Sequence, residues 1–415
     1  MKIAAGLHKD HAPPRSGSDP VPPQSGSNPV PPQSGTDPVP SRTGTRPETA
    51  VRVIQLTDLA VRGLTRMYDG DGFPQTARGA RTSFGTELRL EGRSTRYTSI
   101  AALGLHLLPE HAQRSALHGD TAAELARRTG IRARGHRDTG ALALAVWACA
   151  EITGSVDSAL YEELRSRCES GSPLATVDAS WALTAALAAR TQFDSGGLVQ
   201  TLKRRILAAQ GPGGLFPHMI PVGTGSRLRR HIGSFADQVY PLQALARTAA
   251  ATDDDVAFAA ANACATRICA LQGEAGQWWW HYDSRGHSVA ERFPVYSVHQ
   301  HAMAPMVLFD LAAAGGDDHT AAIELGIDWL QSHPETLADL VCESQDVVWR
   351  KVGRREPRKA ARSLAAATTA LRPGSELPGL DRLLPAGVVD YECRPYELGW
   401  MLYAWLPRNE FGGTR

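Results

Sequence analysis

Side chains that can transfer protons stand at or near the start of several apolar segments in this 415-residue chain. Carboxylates and imidazoles are the groups most often used as general acids and bases near neutral pH. A pair of them held together could cleave a glycosidic bond or abstract a proton. The predicted catalytic residues are Asp138, Asp178, Asp237, His299 and Glu397.

Further polar and aromatic side chains occupy similar positions and could bind a substrate. Adjacent tryptophans in one loop would offer flat apolar faces to a sugar ring. Arg394 could bind a carboxylate or phosphate through two parallel hydrogen bonds, or it could pair with the nearby Glu397. The predicted substrate-binding residues are Arg96, Tyr97, Gln238, Tyr240, Trp278, Trp279, Trp280, Tyr282, Tyr296, His301, Arg394 and Tyr396.

Several of these residues also have a purely structural explanation. An aspartate at a helix start accepts hydrogen bonds from free backbone amides, and such a cap contributes about 1 kcal/mol. A buried histidine can be a neutral, hydrogen-bonded core residue. His299 and His301 are two positions apart and cannot share one helical face, which argues against a metal pair. The sequence therefore predicts neither a metal site nor a cofactor.

The segments that begin at these side chains are apolar almost all round. Their apolar residues recur three or four positions apart, which is the period of a helix. A helix without a polar face must be buried on every side. We therefore predict six inner helices, at residues 98–108, 138–149, 178–189, 237–249, 299–311 and 396–406.

Six amphipathic segments alternate with the apolar ones and are predicted to be outer helices, at residues 51–68, 121–129, 160–168, 198–209, 257–271 and 321–332. This alternation predicts an all-α protein, an (α/α)6 toroid. Its inner helices would run in one direction and bring their N-terminal ends to one mouth. An open solenoid is the competing architecture, but six hairpins without polar end caps favour the closed ring. Strand patterns are nearly absent.

Two regions have a different composition. Residues 1–47 contain the repeats SGSDPVPPQ, SGSNPVPPQ and SGTDPVPSR, which predict a disordered tail ahead of a single domain at 48–415. A long polar insert between residues 335 and 385 could be a lid or binding loop, or a solvated helix face. Its basic residues are Arg350, Lys351, Arg354, Arg355, Arg358, Lys359 and Arg362.

The charge balance and the hydrophobic pattern exclude several classes of partner. Lys and Arg total 44 against 43 Asp and Glu, a net charge of +1, so no nucleic-acid partner is expected. No apolar run approaches the roughly 18 residues that span a bilayer, and the first residues lack the apolar core of a secretion signal. We therefore expect a cytoplasmic protein without a membrane span, whose six cysteines are reduced thiols.

Two short segments resemble known toroid families. LAAQGPGGLFPH (207–218) and ALQGEAGQWWWHYD (270–283) resemble the Gln, Gly and Trp turn repeats of terpenoid cyclases and protein prenyltransferases. The region 51–406 is also similar to the six-hairpin glycosidases and sugar epimerases. Cyclases of this kind carry an Asp-x-Asp-Asp acid motif, of which only Asp178 is present here. No counterpart of the prenyltransferase zinc ligands can be assigned.

The residues and the resemblance lead to three hypotheses. The first is a carbohydrate-active enzyme that cleaves or epimerises a small-molecule or oligosaccharide substrate. The second is an isoprenoid cyclase, with Asp178 as the acid and Trp181, Trp279 and Tyr296 stabilising cations. The third is a scaffold without catalytic activity, whose mouth would be filled by side chains.

Overall fold

The computed structural model describes residues 45–82, 85–357 and 360–408. Nearly all of the predicted tail, together with Arg358 and Lys359 of the basic insert, lies outside these residues. In chain order the α-helices are α1 (Pro47–Met67), α2 (Thr95–Leu105), α3 (Glu110–Ala116), α4 (Ala122–Ala133), α5 (Thr139–Thr153), α6 (Ser158–Glu169), α7 (Thr176–Ala188), α8 (Gly196–Leu207), α9 (Ala236–Thr252), α10 (Asp255–Ala270), α11 (Ala304–Ala313), α12 (Thr320–Ser332), α13 (Ala360–Leu371), α14 (Leu380–Leu383) and α15 (Pro395–Trp405).

Six of these helices form a closed inner ring. Helix α2 contacts α5, and the chain of contacts continues through α7, α9 and α11 to α15, which returns to α2. A π-helical turn at His299–Met303 leads directly into α11 and belongs to the ring. Helices α1, α4, α6, α8, α10 and α12 lie outside. The twelve predicted helices are confirmed in the predicted order, and the fold is an (α/α)6 toroid.

The burial of the helices explains why they sort into two layers. Residues 140–150 of α5 are buried without interruption, as expected for a helix with neighbours on every side. Helix α1 instead buries one face, which includes Val53, Leu56 and Leu64, and exposes Val51 and Ile54. The apolar content of each segment therefore decides whether it lies in the inner or the outer layer.

The ring closes where α15 meets α2, and two glycines allow the backbones to approach. A Cβ atom added to Gly104 of α2 would lie 2.2 Å from the carbonyl oxygen of Gly399 in α15. No side chain fits at that distance. The first and last inner helices therefore pack by backbone contact.

A partly buried polar cluster joins the other ends of the inner helices. Arg247 of α9 donates hydrogen bonds to Asp310 of α11 (2.8 Å) and to the hydroxyl of Tyr403 in α15 (2.8 Å). The Tyr403 hydroxyl in turn donates to Glu151 of α5 (2.6 Å). Four inner helices are thus tied together at the end opposite to the predicted mouth, where each charge has a partner.

Short antiparallel strands are more numerous than the sequence predicts. They form three three-stranded sheets, β13-β1-β2, β12-β11-β8 and β5-β6-β7, and the pairs β3-β4 and β9-β10. The strands are β1 (Thr76–Thr82), β2 (Gly85–Glu91), β3 (Leu174–Ala175), β4 (Met219–Ile220), β5 (Ile232–Ser234), β6 (His281–Asp283), β7 (Ser288–Glu291), β8 (Val295–Tyr296), β9 (Val341–Cys342), β10 (Val347–Val348), β11 (Lys351–Arg354), β12 (Ala386–Asp390) and β13 (Glu392–Cys393).

These strands lie at the mouth of the ring. β2, β3, β5, β8 and β13 each come just before an inner helix along the chain. Most are only two to five residues long and pair with distant segments, so they leave no periodic pattern in the sequence. The strand pairs fix the loops that enter the inner helices.

The basic insert packs onto this mouth. Arg350 and Lys351 belong to its extended part, next to the buried Val348, Trp349 and Val352. A solvated helix face therefore does not describe this part of the insert. Arg362 lies on α13, which packs against β7.

Among the residues that the structure describes, no helix is both long and apolar enough to cross a membrane. All six cysteines are free thiols. Three of them, Cys149, Cys168 and Cys264, lie in helices and have buried side chains.

Replacing Gly104 by alanine tests the closing contact. The added methyl group meets backbone and cannot be relieved by a side-chain rotation, so we expect Gly104→Ala to lower the free energy of unfolding by about 1–3 kcal/mol. Gly197→Ala is the control, because nothing lies within 4 Å of an added Cβ there. Chemical denaturation would measure both, and equal stabilities would contradict the proposed seam.

Candidate functional site

A cavity of about 380 Å³ opens at the N-terminal ends of the inner helices. We call it the mouth cavity. Five of the six inner helices contribute residues to its wall, and α5 does not. It is lined by Arg96, Tyr97, Ile100, Ala175, Val177, Asp178, Trp181, His218, Ser234, Ala236, Asp237, Tyr240, Trp280, Tyr296, His299, Met303, Arg350 and Tyr396.

Arg96 joins two of the predicted catalytic aspartates. Its guanidinium donates to both carboxylate oxygens of Asp138 and to Oδ1 of Asp178 at 3.0 Å. Gly140 makes room for this contact, because a Cβ there would lie 2.3 Å from Asp178 Oδ1. Asp138 also accepts a hydrogen bond from the Gly140 backbone N–H at 3.0 Å and caps α5. Asp138 is thus a cap and an ion-pair partner behind the cavity wall.

The pKa values of the two carboxylates are shifted in opposite directions. Burial raises the pKa of Asp178 above its usual range, the charge of Arg96 opposes the shift, and the neighbouring Asp138 adds to it. For Asp138, the hydrogen bond and the charge of Arg96 outweigh burial, so its pKa is lowered. Asp178 therefore holds a proton more readily than an ordinary aspartate, as a general acid must.

Asp237 and His218 form a hydrogen-bonded pair at the cavity. The buried Asp237 carboxylate accepts hydrogen bonds from the backbone N–H and the hydroxyl of Ser234, both at 2.7 Å. Nδ1 of His218 lies 3.1 Å from the same carboxylate. The hydrogen bond to Asp237 raises the pKa of His218, and the negative charge of Asp237 adds to the shift. Burial opposes it. The pairing makes Nδ1 the donor and leaves Nε2 for proton exchange.

His218 is a functional residue that the sequence analysis did not select. It ends the segment LAAQGPGGLFPH and lies just before β4, outside any inner helix. Its backbone carbonyl accepts from Thr176 N–H at 2.9 Å and its N–H donates to Ile232 at 3.0 Å. Only these pairings between distant segments bring the imidazole to Asp237.

Glu397 lies behind the cavity, where α15 begins. Its buried carboxylate accepts from the Arg350 Nε–H at 3.2 Å and from the backbone N–H of Arg394 at 3.3 Å. Burial raises the pKa of Glu397 to about 7, although both arginines oppose the shift. The Arg394 side chain donates to the Tyr97 hydroxyl at 2.9 Å and does not line the cavity. Arg350 of the insert does line the cavity. Arg350 therefore lies at the cavity wall, and the predicted Arg394 does not.

Aromatic rings cover one side of the mouth cavity. The ring centroids of Trp280 and Tyr296 are 4.6 Å apart, and Trp280 lies parallel to His299 within 7°. Burial lowers the pKa of His299 to about 3, so this imidazole is neutral at physiological pH. The Arg96 guanidinium lies over the Trp181 ring, with its carbon 5.0 Å from the ring centroid. Tyr240 and Tyr396 are further aromatic residues of the cavity wall.

Six of the predicted substrate-binding residues, including Arg394, lie away from the cavity wall. Trp278 and Tyr282 are fully buried beside Phe235. The Gln238 side chain accepts a hydrogen bond from the Phe216 backbone N–H at 2.8 Å and donates one to the Phe216 carbonyl at 2.9 Å. The remaining two are Trp279, which packs on Phe293, and His301, which is buried within the π-helical turn His299–Met303.

In residues 45–82, 85–357 and 360–408, no three His, Cys, Asp or Glu side chains come together as a metal site would require.

Comparisons with solved structures find toroids of one kind. An unsaturated glucuronyl hydrolase specific for heparin is 14% identical, with a TM-score of 0.57 over 87% of this chain and 97% of that one. The unsaturated glucuronyl hydrolase of Streptococcus agalactiae is 9% identical, with a TM-score of 0.54 over 86% and 92%. That of Bacillus sp. GL1 is 12% identical, with a TM-score of 0.50 over 86% and 95%.

Neither a family model nor a curated protein matches the sequence. At these identities the structural likeness establishes the fold and leaves the reaction open.

The pairing of His218 with Asp237 can be tested by NMR. We expect the His218 imidazole to titrate above the ordinary value of about 6.5, and Asp237→Asn to lower its pKa. Because the folded-state pKa is raised, the pair stabilises the fold below the unfolded-state pKa, and this contribution is lost as pH rises through the folded-state pKa. Asp194→Asn, an exposed loop change, is the control. An unchanged titration in Asp237→Asn would refute the pair.

Proposed function

We propose that this protein is a carbohydrate-active enzyme that cleaves a glycosidic bond of an oligosaccharide bound in the mouth cavity. The proposal depends on one observation. Asp178, whose pKa is raised, and the His218–Asp237 pair line the same aromatic-walled cavity. An acid and a base facing one space are what glycosidic hydrolysis requires.

Each group has a role that follows from its surroundings. Asp178 is the general acid, which donates its proton as the glycosidic bond breaks. His218 is the base, which removes a proton from the attacking water through Nε2. Asp237 is a positioning residue, since its buried carboxylate holds the imidazole in one tautomer and orientation. Trp280 and Tyr296 provide apolar faces for a sugar ring.

Arg350 favours a sugar that carries a carboxylate. Its side chain lines the cavity, and among the described residues its guanidinium is hydrogen-bonded only through Nε, to Glu397. The other guanidinium N–H groups suit a planar carboxylate. We therefore infer that the cleaved sugar is a uronate.

The structural neighbours support this substrate class. They are described as glucuronyl hydrolases, and one structure of the streptococcal enzyme is complexed with dGlcA-GalNAc6S. Structures of that enzyme have been determined with asparagine in place of aspartate at either of two positions. Those two positions are about as far apart in its sequence as Asp178 and Asp237 are in this one.

An isoprenoid cyclase has less support. The aromatic lining would suit carbocations, but Arg96 and Arg350 also reach the cavity. Two guanidinium charges would raise the energy of a cationic intermediate held between them. A neutral or anionic substrate is the better match.

The proposal is tested by incubating the protein with uronate-terminated oligosaccharides and analysing the products by mass spectrometry. Hydrolysis gives two smaller products whose masses sum to the substrate plus one water, whereas epimerisation leaves the mass unchanged. We expect Asp178→Asn to lower kcat by at least about 100-fold, because the proton donor is lost. Asp58→Asn, an exposed change on the outer helix α1, should leave kcat unchanged. Wild-type kcat in Asp178→Asn, or no cleavage of any oligosaccharide, would overturn the proposal.

A further inference from the structure

A second cavity of about 390 Å³ adjoins the mouth cavity. We call it the side cavity. The two share four wall residues, His218, Ser234, Asp237 and Trp280. The rest of the side cavity is formed by Met219, Thr224, Gly225, Ser226, Arg229, Arg230, Ile232, His281 and Arg362 of α13. A substrate that enters the mouth cavity can therefore extend into the side cavity past His218.

The side cavity carries an excess of positive charge. Arg229, Arg230 and Arg362 line it, and the only carboxylate among its described wall residues is Asp237. That carboxylate is already occupied by Ser234 and His218. The three guanidinium groups are thus not neutralised by the wall around them.

Two of these arginines are partly buried yet form no ion pair with any described residue. Arg229 and Arg362 are each of intermediate exposure, and the Nε of Arg362 is buried without a hydrogen-bond partner. Burial lowers the pKa of Arg229, and the charge of Arg362 lowers it further. Like charges held together in this way cost free energy unless an anion binds between them.

A neighbouring cavity shows that this chain pairs its arginines elsewhere. That cavity lies beside α14 and is lined by Arg292 and Arg354. There Arg292 contacts Glu376 at 3.1 Å, and Arg354 contacts Glu291 at 2.9 Å. The unpaired arginines of the side cavity are therefore a local feature and do not reflect a shortage of acidic residues.

Trp280 connects the side cavity to the proposed chemistry. The Arg362 guanidinium carbon lies 5.4 Å from its ring centroid, and Trp280 also packs against Tyr296 in the mouth cavity, with the two rings tilted by 30°. His281, next in the chain, is buried in the side-cavity wall. A group held by Arg362 is thus one indole ring away from a sugar in the mouth cavity.

We propose that Arg229 and Arg362 bind an oxyanion substituent, a sulfate ester or a carboxylate, on the sugar that follows the cleaved bond. This proposal rests on the proposed function, because it assigns the second sugar of the same substrate. Guanidinium groups donate parallel N–H bonds to such oxyanions. The protein would then select oligosaccharides that are acidic at two successive positions.

The test compares three uronate-terminated disaccharides whose second sugar is unsubstituted, sulfated or carboxylated. With the full-length protein we expect kcat/KM to be at least about tenfold higher for one of the two acidic forms than for the unsubstituted one. Arg362→Met and Arg229→Met should each remove most of this preference and leave kcat/KM for the unsubstituted disaccharide unchanged. Whichever acidic form is preferred identifies the oxyanion.

Arg227→Met is the matched control, because Arg227 is exposed on the same loop and does not line the side cavity. It should retain the wild-type preference. Equal rates on all three disaccharides, or an equal loss on all three in Arg362→Met, would overturn the oxyanion site and leave the proposed function standing. If none of them nor any other oligosaccharide is cleaved, both proposals fail together.

Discussion

The closed ring of inner helices is the constraint on which the rest of the structure depends. Inner and outer helices alternate around a ring that closes through the backbone contact of Gly104 with Gly399, so the inner helices run in the same direction. Side chains at the helix starts then meet at one mouth, whereas the cluster around Arg247 and Tyr403 joins the opposite ends. An open solenoid of the same helices would leave α2 and α15 apart, and Arg394 of the last helix start could not reach Tyr97 of the first.

Within the mouth, differences in burial and charge give similar side chains different properties. Asp138 and Asp178 contact the same guanidinium of Arg96, but the pKa of one is lowered and that of the other is raised. Asp178 is more deeply buried and lies between two other carboxylates, so its charged form is less favourable. Asp237 instead accepts several hydrogen bonds and contacts His218. The three carboxylates therefore have different surroundings within one mouth.

The short strands and the basic insert form walls of both cavities at the mouth of the helical ring. The pairing of β5 with β6 places Ser234 opposite His281, which fixes one wall of both cavities. The insert brings Arg350 to the mouth cavity and Arg362 to the side cavity. The inner helices thus contribute the carboxylates of Asp178 and Asp237, whereas the loops and the insert contribute His218, Arg350 and Arg362.

The sequence by itself determined the helical toroid, because apolar periodicity and alternation depend on each segment alone. It also determined which inner-helix starts carry acids, and Asp178 and Asp237 do line the mouth cavity. Only the tertiary structure decided that His218 pairs with Asp237, that Arg350 and not Arg394 reaches the cavity, and that Trp278 faces the core. Those outcomes depend on strands of two to five residues that pair across long stretches of chain. Such pairs are fixed by the packed whole, and no local pattern records them.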